Sequence, residues 1–189
     1  MKKLVEWPDT VSVLTLECNF LSFYFNGIKM IEIKYKQKPI ILLDLNYTLV
    51  GNSAKIRYLK PYQNKIKNEE YRKWLIDLID DYHVILITAR PDYQEKCTVQ
   101  SIKKKLNGWM PEEMYFQEEN DTPPIAKEKL LKKYIFPKHG MIRSYLAIES
   151  NPKTKLMYKN YNIPSISVYE EDGIEIRNIL NKIESNLTI

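Results

Sequence analysis

The chain has 189 residues, with 29 Lys and Arg against 24 Asp and Glu for a net charge of +5, and it is 44% hydrophobic and 12% aromatic. That balance excludes a disordered or fibrous polymer, and the length suits a domain with a sizeable core. No run approaches the roughly 20 apolar residues that span a bilayer. The first residues show no apolar leader core, and the two cysteines, Cys18 and Cys97, lie outside any C-x-x-C or Cys/His cluster, so the expectation is a cytoplasmic protein without a zinc or disulfide framework.

Residues 11–36 read as strands. VSVLTLEC alternates apolar and polar positions, and FLSFYF and IKMIEIKY flank Asn26-Gly27, the dipeptide favoured in two-residue hairpins. Residues 1–38 are therefore expected to form a β-rich extension, a meander packed on a main domain at 39–189. The 11–36 surface is a candidate contact for a second copy or a protein partner. At 40–45, IILLDL is a continuous apolar run ending in an acid, as in a strand buried on both faces of a parallel sheet. Residues 55–67 read as a loop that interleaves Lys55, Arg57, Lys60, Lys65 and Lys67 with Tyr58 and Tyr62. Such a composition tracks phosphates and stacks on bases, and it equally describes an ordinary solvated loop.

The pattern then alternates. Tyr71, Trp74, Leu75, Leu78 and Ile79 recur at helical spacing over 68–80. VILIT at 84–88 is a second buried strand, and a polar helix over 92–107 meets a C-terminal signal at Asn107-Gly108. EMYFQ at 113–117 is a short strand, and a helix over 123–134 carries prolines in its first turn. SYLAIE at 144–149 is a strand ending in an acid, Pro152 opens the next helix, IPSISVY at 163–169 is a strand, and 173–185 closes as an amphipathic helix. Alternation of this kind predicts an α/β fold, a Rossmann-like parallel sheet with helices on both faces and right-handed crossovers. Ligands bind such sheets at the carboxyl ends of the strands, where Asp44, Thr88 and Glu149 stand.

Each strand end has a chemical reading. A carboxylate in a loop after a strand can attack phosphorus or hold a metal, and it can also simply cap a helix. A hydroxyl at a helix start, such as Thr88, can hold a phosphate oxygen together with backbone N–H groups, and Arg90 nearby can reach a phosphate. Four segments occur in order: DLNYTL (44–49), ILITARP (85–91), IAKE (125–128) and LAIESNPK (146–153). The set resembles the signatures of the haloacid dehalogenase-like (HAD) phosphohydrolases and looks most like the phosphatase half of phage polynucleotide kinases and related nucleotidases. The resemblance runs from about Ile40 to Tyr169 and leaves residues 1–38 without a counterpart.

What the resemblance implies is a Mg2+-dependent phosphatase acting on a nucleotide or nucleic-acid phosphate end. Asp44 would be the nucleophile that forms an aspartyl-phosphate, Thr48, Thr88 and Arg90 would contact substrate, and Lys127, with Lys129 as the fallback, would neutralise the transferred group. Asp44, Asn46 and Glu149 would hold the metal, Asn46 through its backbone carbonyl. Only short segments separate the motifs, so the resemblance implies a capless member with a site open to a polymer end. Two positions depart from the family's pattern. Asn46 stands where an acid protonates the leaving group, and Glu149-Ser150 replaces paired acids. An amide has no proton to transfer, and general acid–base help is worth about 10²–10⁴-fold. The alternative is therefore a catalytically degenerate HAD-like module that binds a phosphorylated ligand or a protein partner. A receiver-like domain, which also has an Asp at a strand end, fits less well, because it lacks the Thr48-Leu49 pair and needs an acidic pair that this N-terminus does not supply.

Overall fold

The computed structural model describes residues 13–17, 20–25, 28–34, 38–168 and 173–187. The chain divides into two compact units, one of Met1–Lys38 with Glu184–Ile189 and one of Pro39–Ile183. In the first, β1 (Val13–Glu17), β2 (Phe20–Phe25) and β3 (Ile28–Lys34) form an antiparallel sheet in the order β1-β2-β3. The expected hairpin turn, Asn26-Gly27, lies outside the described residues, while the strands flanking it pair from Phe25 with Ile28.

The second unit is the parallel sheet that the alternation predicts. Its strands are β4 (Ile40–Leu43), β5 (Val84–Pro91), β6 (Glu113–Gln117), β7 (Tyr145–Ile148) and β8 (Ser165–Ile166), in the order β6-β5-β4-β7-β8. The chain builds outward from β4 through β5 to β6, then returns to the other side of β4 for β7 and β8. The strand order reverses at β4, and such a reversal opens a crevice at the carboxyl ends of the strands beside it. Register fixes what meets there. Leu43 pairs with Ile148, and the Asp44 N–H donates to Ile148 O at 3.0 Å, so residues 44 and 149 step off neighbouring strands side by side.

Period-two alternation sorts the strands' apolar residues onto two faces. Ile41, Leu43, Val84, Leu86, Leu146 and Ile148 pack on one side with Leu75, Ile76 and Ile79 of α3 (Lys73–Ile79), Ile102 of α4 (Glu95–Lys105), and Ile176 and Leu180 of α5 (Ile174–Leu187). Ile40, Leu42, Ile85, Ile87, Tyr145 and Ala147 pack on the other, against the helical stretch 123–139 and the helix Pro152–Lys159. The helices therefore cover both faces, as a sheet apolar on both sides requires. Among the described residues, no helix is long and apolar enough to cross a membrane.

Three local expectations change. The stretch 55–67 is not an open loop, because it contains parts of two short helices, α1 (Ser53–Ile56) and α2 (Tyr62–Lys67), held down by buried Ile56 and Ile66. The helix expected over 68–80 starts only at Lys73. The residues before it spend their backbone groups elsewhere: Gly51 N–H donates to Glu70 O and Arg72 N–H to Leu49 O. The helix expected to end at 134 continues to His139 despite Pro137. Proline has no N–H to give to the preceding turn, and the coil widens just before it, where the Phe136 N–H reaches back five residues to Leu131 O. The signal at 107–108 holds: Asn107 and Gly108 have φ of 54° and 89°, and the Gly108 N–H closes on Lys103 O at 2.8 Å.

Gly173, just before α5, has φ +67°, and a Cβ there would come within 2.4 Å of the Trp74 ring and 2.8 Å of Leu78. Both the backbone conformation and the space demand glycine. Gly173→Ala should destabilise the protein by at least about 1–3 kcal/mol, the usual cost of overpacking, read as a lower urea midpoint with an unchanged slope.

Candidate active site

At the reversal of the strand order a cleft of about 410 Å³ is lined by Asp44, Asn46, Tyr47, Ala89, Pro123, Lys127, Glu149, Ser150, Asn151 and Pro152. Its floor is an ion triad. Lys127 Nζ stands 2.5 Å from Asp44 Oδ1 and 2.5 Å from Glu149 Oε2. Lys127 and Glu149 are each 1% exposed and Asp44 7%. Each carboxylate's second oxygen is also engaged: Thr48 Oγ donates to Asp44 Oδ2 at 2.7 Å, and the Asn151 N–H donates to Glu149 Oε1 at 2.8 Å. The triad's charges are 44 and 149 on adjacent strands and 127 on the helix Pro123–Leu130. That helix has Pro123 and Pro124 in its first turn, where the missing N–H groups cost nothing, and Ala126, Lys127 and Leu130 face inward. Lys129, the alternative cation, points away: it is half exposed and paired with Glu119 and Asp121 at 2.5 and 2.8 Å.

Burial works against a charge on Lys127, but the Asp44 and Glu149 carboxylates outweigh it and hold the ammonium's pKa above the usual lysine value. Glu149 is shifted upward as well, chiefly by burial and next by the Asp44 charge, with Lys127 pulling the other way. Two buried carboxylates side by side repel each other, and one ammonium cancels only half of their charge.

The loop that presents Asp44 is built for close support. Tyr47 adopts a left-handed backbone, φ 65°, a conformation costly for a residue with a side chain. Its N–H donates to Ser53 Oγ at 2.8 Å, and Ser53 Oγ donates in turn to Val50 O at 3.0 Å. Ser150 bridges the two strand ends, 2.8 Å from Thr48 Oγ and 3.2 Å from Tyr47 O. Across the cleft, Asn151 caps the helix Pro152–Lys159 through Oδ1, which accepts the N–H groups of Lys153 and Thr154.

The structure thus brings Asp44, Asn46, Thr48, Lys127 and Glu149 together. It places Thr88 and Arg90 differently. Thr88 is fully buried, and its hydroxyl accepts the Arg90 N–H at 3.1 Å. Arg90 is 1% exposed, and its guanidinium turns into the protein: Nη1 donates to Thr98 Oγ at 2.8 Å, and Nη2 to Glu69 Oε1 at 2.6 Å and Asn46 Oδ1 at 2.8 Å. Instead of reaching out, Arg90 fastens Asn46 to an acid the sequence reading passed over. Glu69 is 2% exposed, and its other oxygen accepts the Tyr71 hydroxyl at 2.9 Å. Its neighbour Glu70 is exposed, and nothing in the Glu69-Glu70 pair signals which one is buried.

No protein-family profile matches the chain, and no curated protein matches it. Among solved structures it is similar to a chain in the structure of the Pnkp1/Rnl/Hen1 RNA repair complex, with a TM-score of 0.55 and 17% identity over 69% of this chain and 42% of that one. It is also similar to a chain of a structure of the Pnkp1/Rnl/Hen1 complex, with a TM-score of 0.55 and 14% identity over 78% of this chain and 53% of that one. This chain spans about half the length of those neighbours, and at these identities the likeness shows a shared fold.

Removing one partner of a buried ion pair strands the other charge, at a cost of about 3–5 kcal/mol. Glu69→Ala should therefore destabilise the protein by about that amount, although residue 69 does not line the cleft. A thermal or urea denaturation curve overlapping that of the unmodified protein would refute the role given to this pair.

Proposed function

We propose that the chain is a Mg2+-dependent phosphatase of the HAD-like type, acting on a nucleotide or a nucleic-acid phosphate end. The observation that carries this reading is the buried triad of Asp44, Lys127 and Glu149 at the reversal of the strand order. The likeness of the fold to chains of an RNA repair complex and the mild basic charge support the substrate class. Among the described residues, only α1, α2 and connecting turns lie between the first strand end and α3, and only a short 3-10 turn, α4, β6 and their connections lie between Arg90 and the helix of Lys127, which favours a site without an inserted cap and a polymer end as substrate.

The donors fit a hard divalent cation. They are all oxygen: two carboxylates and the backbone carbonyl of Asn46, with a net negative charge left after Lys127 is counted. Asp44, Asn46 and Glu149 would hold the ion, which would add the positive charge that draws phosphoryl oxygens into the cleft. The residues do the rest. Asp44 uses a carboxylate lone pair to form a bond to phosphorus, and the bond to the leaving oxygen breaks with its electron pair. Water then attacks the same phosphorus and loses a proton to solvent, the bond from phosphorus to the Asp44 oxygen breaks with its electron pair returning to the carboxylate, and phosphate is released. Lys127 offsets the charge on both Asp44 and the transferred group, and Thr48 orients the carboxylate by holding Asp44 Oδ2. Asn46 has its oxygen occupied by Arg90, so its amide N–H is what it offers the leaving oxygen, as a hydrogen bond and not as a proton. The leaving group must then take its proton from solvent, and turnover should be slow except for good leaving groups.

The Arg90 contact also supports a second reading. Arg90 is already neutralised by Glu69 at 2.6 Å, and a neutral Asn46 accepts from it without adding a third buried charge. A site settled in this way can hold a phosphorylated ligand without turning it over.

The two readings separate in an assay of Mg2+-dependent phosphate release from 3′-phosphorylated oligonucleotides and nucleoside monophosphates. The phosphatase reading expects slow release that Asp44→Asn abolishes. It fails if the natural protein releases no more phosphate than Asp44→Asn on every substrate. Asn46→Asp should lower the rate if Asn46 belongs to a working site, whereas an Asn46→Asp protein that turns over strongly from a silent parent identifies a degenerate enzyme.

A further inference from the structure

The chain contains two histidines, and both meet on one carboxylate far from the cleft. His83 immediately precedes β5, Glu113 is the first residue of β6, and His139 ends the helix Phe136–His139. These are the amino ends of the strands, the opposite pole from Asp44 and Glu149. His83 Nε2 lies 3.0 Å and His139 Nε2 2.7 Å from the same oxygen, Glu113 Oε1, and the two rings meet edge to face with centroids 5.2 Å apart. All three donor atoms fall within 4.8 Å of one another.

The carboxylate's other oxygen is separately held. Glu113 Oε2 accepts the Tyr115 hydroxyl at 2.5 Å and faces Lys138 Nζ at 2.9 Å. That division matters: the outer groups orient the carboxylate and leave Oε1 turned toward both imidazoles. Metal-binding carboxylates are commonly steadied by hydrogen bonds of this kind.

We propose that His83, Glu113 and His139 form a binding site for one borderline divalent d-block ion, with Zn2+ as the fitting probe. Two imidazole nitrogens and one carboxylate oxygen are a donor set such ions prefer and Mg2+ does not. An ion with bonds of about 2.1 Å spaces tetrahedral ligands roughly 3.4 Å apart. The two nitrogen–oxygen separations, 3.0 and 2.7 Å, must open by about 0.4 and 0.7 Å, a movement that two half-buried rings can make. On binding, the Nε2 protons that face Glu113 Oε1 are displaced to solvent, each ring carries its proton on Nδ1 and gives its Nε2 lone pair to the ion, and a fourth position stays open for water or an incoming ligand. The ion ties the starts of β5 and β6 to the helix Phe136–His139. The sequence shows no Cys/His cluster, because these ligands are separated by 30 and 26 positions.

The test is Zn2+ uptake by the full chain, measured as metal content after dialysis and by titration calorimetry, with Mg2+ as the control ion. The expected result is one equivalent of Zn2+ and a Zn2+-dependent rise in Tm. That equivalent should persist in Asp44→Asn/Glu149→Gln, which removes the carboxylates of the cleft, and should be lost in both His83→Ala and His139→Gln when these retain the native far-UV circular dichroism. Tyr115→Phe, which keeps the ring and deletes only the hydroxyl, should bind about tenfold or more weakly. A Co2+-loaded protein should show a visible absorption band that disappears in His139→Gln. No saturable Zn2+ uptake, or uptake that survives both histidine substitutions, overturns the site. Uptake lost only with Asp44 and Glu149 also overturns it, and leaves the reading of the cleft untouched.

Discussion

The architecture of the cleft depends on one ammonium group. Asp44 and Glu149 leave adjacent parallel strands in register, so their carboxylates arrive as neighbours in a place with almost no solvent. Left alone, two such acids would repel each other, and one would keep its proton. Lys127, 2.5 Å from both, sets one positive charge between them. Desolvation makes every charge costly there, so the arrangement persists only because each carboxylate oxygen is also hydrogen-bonded. Thr48 and the Asn151 N–H complete that shell, and the strained turn at Tyr47 keeps Thr48 where it is needed.

A second buried charge network braces the first. Glu69 and Arg90 form an ion pair with no solvent access to either side chain, and Arg90 carries its second hydrogen bond to Asn46 on the cleft wall. The two networks share no charged residue but meet at the loop after β4. This gives a physical reason for an amide at position 46. A carboxylate there would put a second acid on a guanidinium that Glu69 already neutralises, and would raise the negative charge beside Asp44. The amide at position 46, where the resembled signature has an acid, thus has a structural partner that the sequence did not reveal.

The fold was legible because its signals are local. Apolar runs at 40–45, 84–88 and 144–149 had to be strands covered on both faces, and each ended in a polar residue whose position follows from the strand's end. Choosing Lys127 over Lys129 was harder. Both lie on one helix two positions apart, and only the packing of Ala126 and Leu130 shows which way the helix turns. Glu69, the burial of Arg90 and the convergence of His83, Glu113 and His139 were not legible at all. Whether a polar residue is buried depends on partners distant in sequence, 21 positions away for Glu69 and Arg90, and no short pattern encodes that. The segment 55–67 misled for a related reason: its many charges suggested a solvated loop, while two buried isoleucines, Ile56 and Ile66, anchor the helices it contains.

If the triad is a phosphoryl-transfer site, a trigonal beryllium fluoride group supplied with Mg2+ should bond to the nucleophile as a phosphoryl group would. A crystal structure of that complex is the most direct measurement. The account predicts the fluoride group on an Asp44 oxygen, within hydrogen-bonding reach of Lys127, with the metal ion contacting Asp44 and Glu149. A fluoride group bound elsewhere, or an intact Asp44–Lys127–Glu149 triad with no ion between the acids at saturating Mg2+, would contradict it.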